Sequence, residues 1–265
     1  MSGLEGLLDF GGKTVLVTGA SGNLGLGIAL VFARAGASIV LHYRDHPERA
    51  EAAAAALPGP GHHVCLAADG ANEASVRRCV DEAARLSGEA GLAVLVNNAG
   101  SYPSSPLLEL EQASWIEVIE ANLGSAHLFT SAAARHMLPG AAIVNIASIE
   151  GLRPVRGHAH YAAAKAALIS YTQTSALELG PLGIRVNSVS PGLVDRTGLA
   201  AAWPEGYRRF IAAAPLGRTG HPEEVGNACL FLASPAASWI TGANLVVDGG
   251  VSAAAPQDAQ APLPH

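Results

Sequence analysis

A chain of 265 residues with 49% hydrophobic and 14% charged residues suits one large α/β domain and lacks the composition of a disordered segment. Its net charge of −6 comes without basic runs, which removes the electrostatic basis for binding nucleic acid or an anionic membrane surface. Cys65, Cys79 and Cys229 are scattered, odd in number and without metal-ligand spacing, so three reduced thiols in a soluble, cytoplasmic protein are expected. Met1 to Gly12 shows no signal-peptide pattern, and no apolar run approaches the roughly 20 residues of a membrane span.

Short apolar runs alternate with longer alanine-rich segments of helical period. Strands are expected at Thr14–Thr18, Ser38–Tyr43, His63–Ala67, Ala93–Val96, Ala142–Ala147, Arg185–Ser190 and Asn244–Val247. Helices are expected at Leu24–Ala35, Pro47–Leu57, Glu73–Leu86, Gln112–Met137, Ala159–Leu179 and Pro222–Ala233. Such alternation requires right-handed crossovers, hence an α/β fold with a doubly wound parallel sheet covered by helices on both faces. The Val/Ile/Leu runs of the strands agree, since both faces are buried. Leu193–Pro215 carries Pro, Gly, Trp203 and Tyr207 without a clean period and reads as an irregular, mobile substrate lid. Residues 1–253 read as one domain, and Ala254–His265, rich in Pro, Ala and Gln, as a flexible tail.

The first strand runs into Thr18-Gly19-Ala20-Ser21-Gly22-Asn23-Leu24-Gly25, and a helix follows. Glycines let the backbone turn sharply toward a pyrophosphate, and the helix N-terminus offers that anion free N–H groups and partial positive charge. The fourth strand ends in Asn97-Asn98-Ala99-Gly100, as bare sequence only a good turn. Tyr161 and Lys165, four residues apart, share one face of a helix, and Ser148 stands thirteen residues before Tyr161.

With these motifs in this order the chain resembles the short-chain dehydrogenase/reductase family from about Gly12 to Ser252. Among its relatives it looks most like 3-oxoacyl-carrier-protein reductases and sugar or polyol dehydrogenases. The resemblance implies a Rossmann-like fold with a seven-stranded parallel sheet, a homotetramer or homodimer, and NAD(P)-dependent reduction of a ketone or oxidation of a secondary alcohol. The family turn usually reads Thr-Gly-x-x-x-Gly-x-Gly, and Asn23 stands at one of its glycines. Asn enters the left-handed conformation at modest cost, which makes the replacement tolerable. By resemblance, Gly19, Ser21, Gly22, Asn23, Leu24 and Gly25 hold the pyrophosphate. Asp69, with Gly70 in place of the usual Val, meets the adenine, and Asn98, Ala99 and Gly100 approach the adenosine ribose. Pro191, Gly192 and Val194 form the nicotinamide-side loop, with Val194 backbone on the carboxamide. Arg196 falls where the family commonly has Thr, with Thr197 next. Trp239-Ile240-Thr241-Gly242 and Val247-Asp248-Gly249-Gly250 match the region that closes the sheet and supports subunit contacts.

Cofactor choice is set at the end of the second strand. Tyr43 occupies the usual acidic position, and Arg44 beside it can grip a 2′-phosphate in a fork of hydrogen bonds, which favours NADP over NAD. The alternatives are that Arg44 is a solvated partner of Asp45, or that Asp45 serves NAD.

The resemblance makes Asn122, Ser148, Tyr161 and Lys165 the catalytic tetrad. Reduction of a carbonyl needs a proton donor within hydrogen-bond reach, here Tyr161. A phenol of pKa near 10 needs lowering by about three units, roughly 4 kcal/mol, to work near neutrality. One ammonium in water supplies only about 1 kcal/mol. Lys165 and the cationic nicotinamide together in a water-poor cleft are therefore expected to share the task. Lys165 would also bind the nicotinamide ribose, and Ser148 would steady the developing charge on the substrate oxygen. Asn122 would hold a water linking Lys165 to solvent, or satisfy a helix irregularity, and the two roles are compatible.

Arg153, Arg156, His158 and His160 either meet a polar or anionic substrate or form a solvated loop; no carboxylate or Cys joins them at ligand spacing, so no metal is expected. Trp203, Tyr207, Arg208 and Arg209 line the lid or pack within it. Two other readings stay open: a dehydratase or epimerase on the same fold, and a cofactor-binding regulator without turnover.

Overall fold

Val15 and Val17 point to one side of the first strand and Leu16 to the other, and neighbouring strands repeat the division. Ile39, Leu41, Val94, Val96, Ala142 and Val144 join the first layer, while Val40, Leu92, Leu95 and Ile143 join the second. Alternate side chains leave a strand on opposite faces, so an unbroken apolar run needs cover on both.

The computed structural model describes residues 4–253. In chain order the elements are α1 (Leu4–Leu7), β1 (Thr14–Val17), α2 (Asn23–Arg34), β2 (Ser38–Tyr43), α3 (Pro47–Ala55), β3 (Val64–Ala67), α4 (Glu73–Ser87), β4 (Leu92–Asn97), α5 (Gln112–Ile119), α6 (Ser125–Ala133), β5 (Ala142–Ile146), α7 (Ala159–Leu179), β6 (Arg185–Pro191), α8 (Leu199–Ala202), α9 (Pro204–Ala213), α10 (Pro222–Ala233) and β7 (Asn244–Val247). The strands form one parallel sheet of seven in the order β3-β2-β1-β4-β5-β6-β7, the expected Rossmann-like architecture. Strand order reverses between β1 and β4, and the crevice at their C-terminal ends is where such sheets bind ligands. The expected tail, Ala254–His265, lies outside the described residues.

A buried polar chain fixes α7 to the sheet. Asn97 Nδ2 donates to Asn145 Oδ1 at 2.8 Å, Asn145 Nδ2 donates to Thr172 Oγ1 at 2.9 Å, and the Thr172 hydroxyl donates to Leu168 O. Buried polar groups require such partners, and these hold the helix bearing Tyr161 and Lys165 against β4 and β5.

Two expected elements are corrected. The single helix Gln112–Met137 is interrupted by a π turn at Glu120–Gly124 and ends in a 3-10 turn at Ala134–His136. Asn122 sits in that π turn, its Nδ2 donating to Val118 O at 2.9 Å and Ser101 O at 2.7 Å, so the side chain occupies a carbonyl and draws the chain toward the site. Leu193–Pro215 is not irregular throughout: it contains α8 and α9. Pro204 at the first position of α9 and a Glu205–Arg209 pair one turn apart support a helix there. Expected strand ends elsewhere differ by a residue or so, the ordinary scatter of boundaries.

Candidate active site

β1 leads into the glycine turn. Gly19 has φ 63°, a left-handed conformation that a glycine adopts freely. A Cβ on Gly25 would stand 2.5 Å from Gly19 O and 2.8 Å from Ala20 Cα, so α2 packs on the turn at a distance only glycine allows. Thr18 clasps the turn to the end of β4: its Oγ1 accepts the N–H groups of Asn98 and Ala99, both at 2.9 Å, while Asn98 Nδ2 donates to Thr18 O at 2.9 Å. Gly22 caps α2 without a side-chain bond, and the first turn holds no acidic residue. The first helical turn thus adds no negative charge of its own to the N–H groups of Asn23, Leu24 and Gly25, and Ser21 beside it is half-buried.

Asn23 tolerates its position for a reason other than the expected one. It is the first residue of α2 rather than left-handed, and its Nδ2 donates across the crevice to Asp195 O at 2.7 Å. The turn also relies on a residue that motif reading missed. His42, 2% exposed, accepts the Gly19 N–H at Nδ1 (3.2 Å) and donates from Nε2 to Ala68 O (3.1 Å). Burial pushes its pKa down to about 4, the Ala68 bond opposing, so the ring is neutral at pH 7.

On the adenosine side, Tyr43 ends β2 half-buried, and Arg44 is exposed with Nε donating to Asp45 Oδ2 at 2.8 Å. That pair raises the Arg44 pKa. Asp69 lies two residues beyond β3 rather than closing it, and its Oδ1 accepts the Ala71 N–H in a turn toward α4. Gly70 makes room for Ser125, whose Oγ would stand 2.5 Å from a Cβ there. On the opposite side, Pro191 ends β6, and Gly192 donates its N–H to Val247 O at 3.0 Å. The bridge between Val194 and Gly220 uses Leu193 O and the Asp195 N–H, which leaves the Val194 N–H outside it. Arg196 and Thr197 are both exposed beyond it.

Ser148 follows β5, 8% exposed, and its Oγ accepts the Glu150 N–H at 3.1 Å. Tyr161 lies in the first turn of α7. One turn on, Lys165 is 4% exposed, with Nζ donating to Ile146 O at 2.7 Å and lying 5.6 Å from the Tyr161 ring centroid. Asn122 completes the group at 1% exposure, and its Oδ1 finds no partner in the protein. Gly100 has no room for a Cβ against that oxygen.

In the protein alone, burial pushes the Tyr161 pKa up to about 12, Ser148 opposing through a hydrogen bond and Glu150 adding to the rise. Burial also lowers Lys165 to about 8, so its ammonium persists at pH 7. From its own residues the chain holds the phenol protonated.

Of the segment before Tyr161, Arg153 and Arg156 are exposed, His160 is buried, and His158 belongs to the site. A carboxylate does join it: His158 Nδ1 lies 2.9 Å from Glu150 Oε2, and its ring meets the Tyr161 ring edge-on at 6.1 Å. Tyr102, also missed, meets the Tyr161 ring at a tilt of 57° with centroids 5.9 Å apart. Among the described residues no cluster of three His, Cys, Asp or Glu could hold a metal, and no helix is long and apolar enough to cross a membrane. The helix N-terminus of α2, the Val194 N–H left outside the bridge and the orphaned Asn122 Oδ1 fit a nicotinamide dinucleotide bound in this crevice.

A family model described as enoyl-(acyl carrier protein) reductase matches residues 19–252. The chain is 41% identical over 249 residues to cis-4-hydroxycyclohexanecarboxylate dehydrogenase of Sinomonas cyclohexanicum, covering 92% of this chain and 98% of the relative. It is 36% identical over 245 residues to 3-oxoacyl-[acyl-carrier-protein] reductase FabG of Chlamydia pneumoniae, covering 91% and 97%. A short chain dehydrogenase from Burkholderia cenocepacia J2315, solved in complex with NADP, superposes with a TM-score of 0.84 at 34% identity over 92% of this chain and 99% of that one. The protein is an NAD(P)-dependent oxidoreductase, and its chain belongs to the short-chain dehydrogenase/reductase family.

Proposed function

We propose that the protein reduces a small ketone, or oxidises the matching secondary alcohol, with Tyr161 as the group that gives or takes the proton. The observation that carries this is the assembly of Tyr161, Lys165 and Ser148 at the end of β5, with the Lys165 ammonium 5.6 Å from the phenol ring. A bound nicotinamide dinucleotide supplies or accepts the hydride. Tyr161, a protonated phenol at neutral pH in the protein alone, gives its proton to the carbonyl oxygen in reduction and takes it from the alcohol in oxidation. Ser148 presents its hydroxyl to the same oxygen as charge develops. Lys165 holds positive charge 5.6 Å from the phenol ring and would hold the nicotinamide ribose, and the unpartnered Asn122 Oδ1 would anchor the water that returns a proton from solvent. Gly19, Ser21, Gly22, Asn23, Leu24 and Gly25 cradle the pyrophosphate, Asp69 and Gly70 the adenine, Asn98, Ala99 and Gly100 its ribose, and Pro191, Gly192 and Val194 the nicotinamide.

NADP is the preferred cofactor: Arg44 stands exposed at the end of β2 and needs only to leave Asp45 to meet a 2′-phosphate. A homotetramer or homodimer is supported by exposed large apolar side chains, among them Trp115 and Ile116 on α5, Leu177 on α7, Trp239 ahead of β7, and Leu245 and Val246 on β7. The three free cysteines agree with a cytoplasmic setting. Residues 1–253 act as one catalytic domain. The dehydratase, epimerase and regulator readings have no residue that favours them over this complete tetrad.

The test compares native protein with Tyr161→Phe, following NADPH consumption by ultraviolet absorbance across a panel of ketones and NADPH affinity by fluorescence. Turnover should fall by roughly 10³-fold in the variant with affinity retained. Turnover that survives the substitution overturns the assignment.

A further inference from the structure

We propose that the Asn23 side chain is a clasp across the mouth of the cofactor crevice, closed over the empty and the filled site alike and open only while the dinucleotide passes. The assignment rests on the dinucleotide lying between α2 and the loop after β6, as proposed above.

Asn23 opens α2 and is exposed, yet its side chain is held: Nδ2 donates to Asp195 O at 2.7 Å, 172 residues further along the chain. A backbone carbonyl only accepts, so the contact needs a side chain that donates. The glycine usual at this place in the family turn has none to reach across. The bond faces solvent, whereas Thr18, Ala20 and Gly25 of the same turn are buried. It therefore spans the crevice at its mouth and not at its floor.

Both ends of the bond stand on one frame. Asp195 donates its N–H to Gly220 O at 2.7 Å, and Gly220 donates its own to Leu193 O at 3.0 Å, which ties the strip Leu193–Asp195 to the residues leading into α10. The N-terminus of α10 packs back on α2 so closely that Gly27 has no room for a Cβ against Pro222. In the ring from α2 through Asn23, Asp195 and Gly220 to α10 and back, the other links are a bridged pair and a close-packed helix contact. The Asn23 bond is a single exposed hydrogen bond, and it is the link that opens. Beyond Asp195 the exposed Arg196 and Thr197 lead into α8, so the clasp also fixes the root of the α8–α9 segment.

This placement sets a kinetic signature. A bond made both before and after binding cancels from the affinity and adds to the barrier in each direction. One neutral hydrogen bond is worth about fivefold in a rate. A side chain that contacted the cofactor itself would slow dissociation alone, and one that only shaped the turn would speed association.

The test uses stopped-flow fluorescence on the full-length protein, with NADPH and with NADH. Association is read on mixing, and dissociation by displacement with excess oxidised dinucleotide. Native protein is compared with Asn23→Gly and Asn23→Ala, both of which keep the backbone N–H groups of the turn. In each variant both rate constants should rise about fivefold while Kd stays within about twofold of native. A damaged turn cannot speed association. Unchanged rates, faster dissociation alone or slower association overturns the clasp and leaves the cofactor site standing. No binding of either dinucleotide by native protein overturns the cofactor site and the clasp with it.

Discussion

Replacing Lys165 with Met should make the protein more stable and catalytically dead. Burial lowers the Lys165 pKa from 10.5 to about 8, so keeping that ammonium inside the fold at pH 7 costs about 3 kcal/mol. Met fills a similar volume without charge and forfeits the bond to Ile146 O, worth about 1 kcal/mol. The variant should then gain about 2 kcal/mol at pH 7. The pH dependence identifies the cause. Below pH 8 both native and unfolded chains carry the proton, and the full burial cost stands. Between pH 8 and 10.5 the unfolded chain still holds it while the native chain does not, so wild-type stability climbs with pH. The advantage of the variant must therefore close across that window. Urea unfolding followed by circular dichroism at pH 7, 8, 9 and 10 measures the gap directly. A variant less stable at pH 7, or a gap that stays constant with pH, refutes the reasoning.

His42 predicts a slope of the same sign on the acid side. Its folded pKa of about 4 lies below the ordinary 6.5, so the unfolded chain takes up a proton first, and about 3 kcal/mol of stability is lost as pH falls from 6.5 to 4. His42→Asn should flatten that limb of the stability profile; an identical acid limb in both proteins contradicts it. At the cofactor site, Arg44→Ala should weaken NADPH binding at least tenfold while leaving NADH within about twofold, read by fluorescence titration, because a 2′-phosphate loses its charge-assisted partner. Equal effects on both dinucleotides would remove Arg44 from cofactor choice.

Much of the fold is legible because its signals are local. The unbroken apolar runs at Val15–Val17 and Ile39–Leu41, the glycines at 19, 22 and 25, and the one-turn spacing of Tyr161 and Lys165 each occupy a few consecutive residues. The same logic fails where a residue's conformation answers to a distant partner. The long helix expected at Gln112–Met137 breaks because Asn122 reaches Ser101 O, and Asn23 stays helical while bonding Asp195 O, 172 residues away. His42 looks like any strand residue until Gly19 and Ala68 close on it from two other segments. Glu150 was passed over because nothing in its neighbourhood along the chain pairs it with His158.

The amino-acid order by itself determined the α/β class and the placing of the strands, since apolar runs and motif spacing are written along the chain. Only the tertiary structure decided how the groups of the site behave. Acidity depends on how many neighbours exclude water and which charges stand across the cleft, a sum over segments brought together by folding. That sum drives Tyr161 up to about 12 and Lys165 down to about 8, and it brings His158 against Glu150.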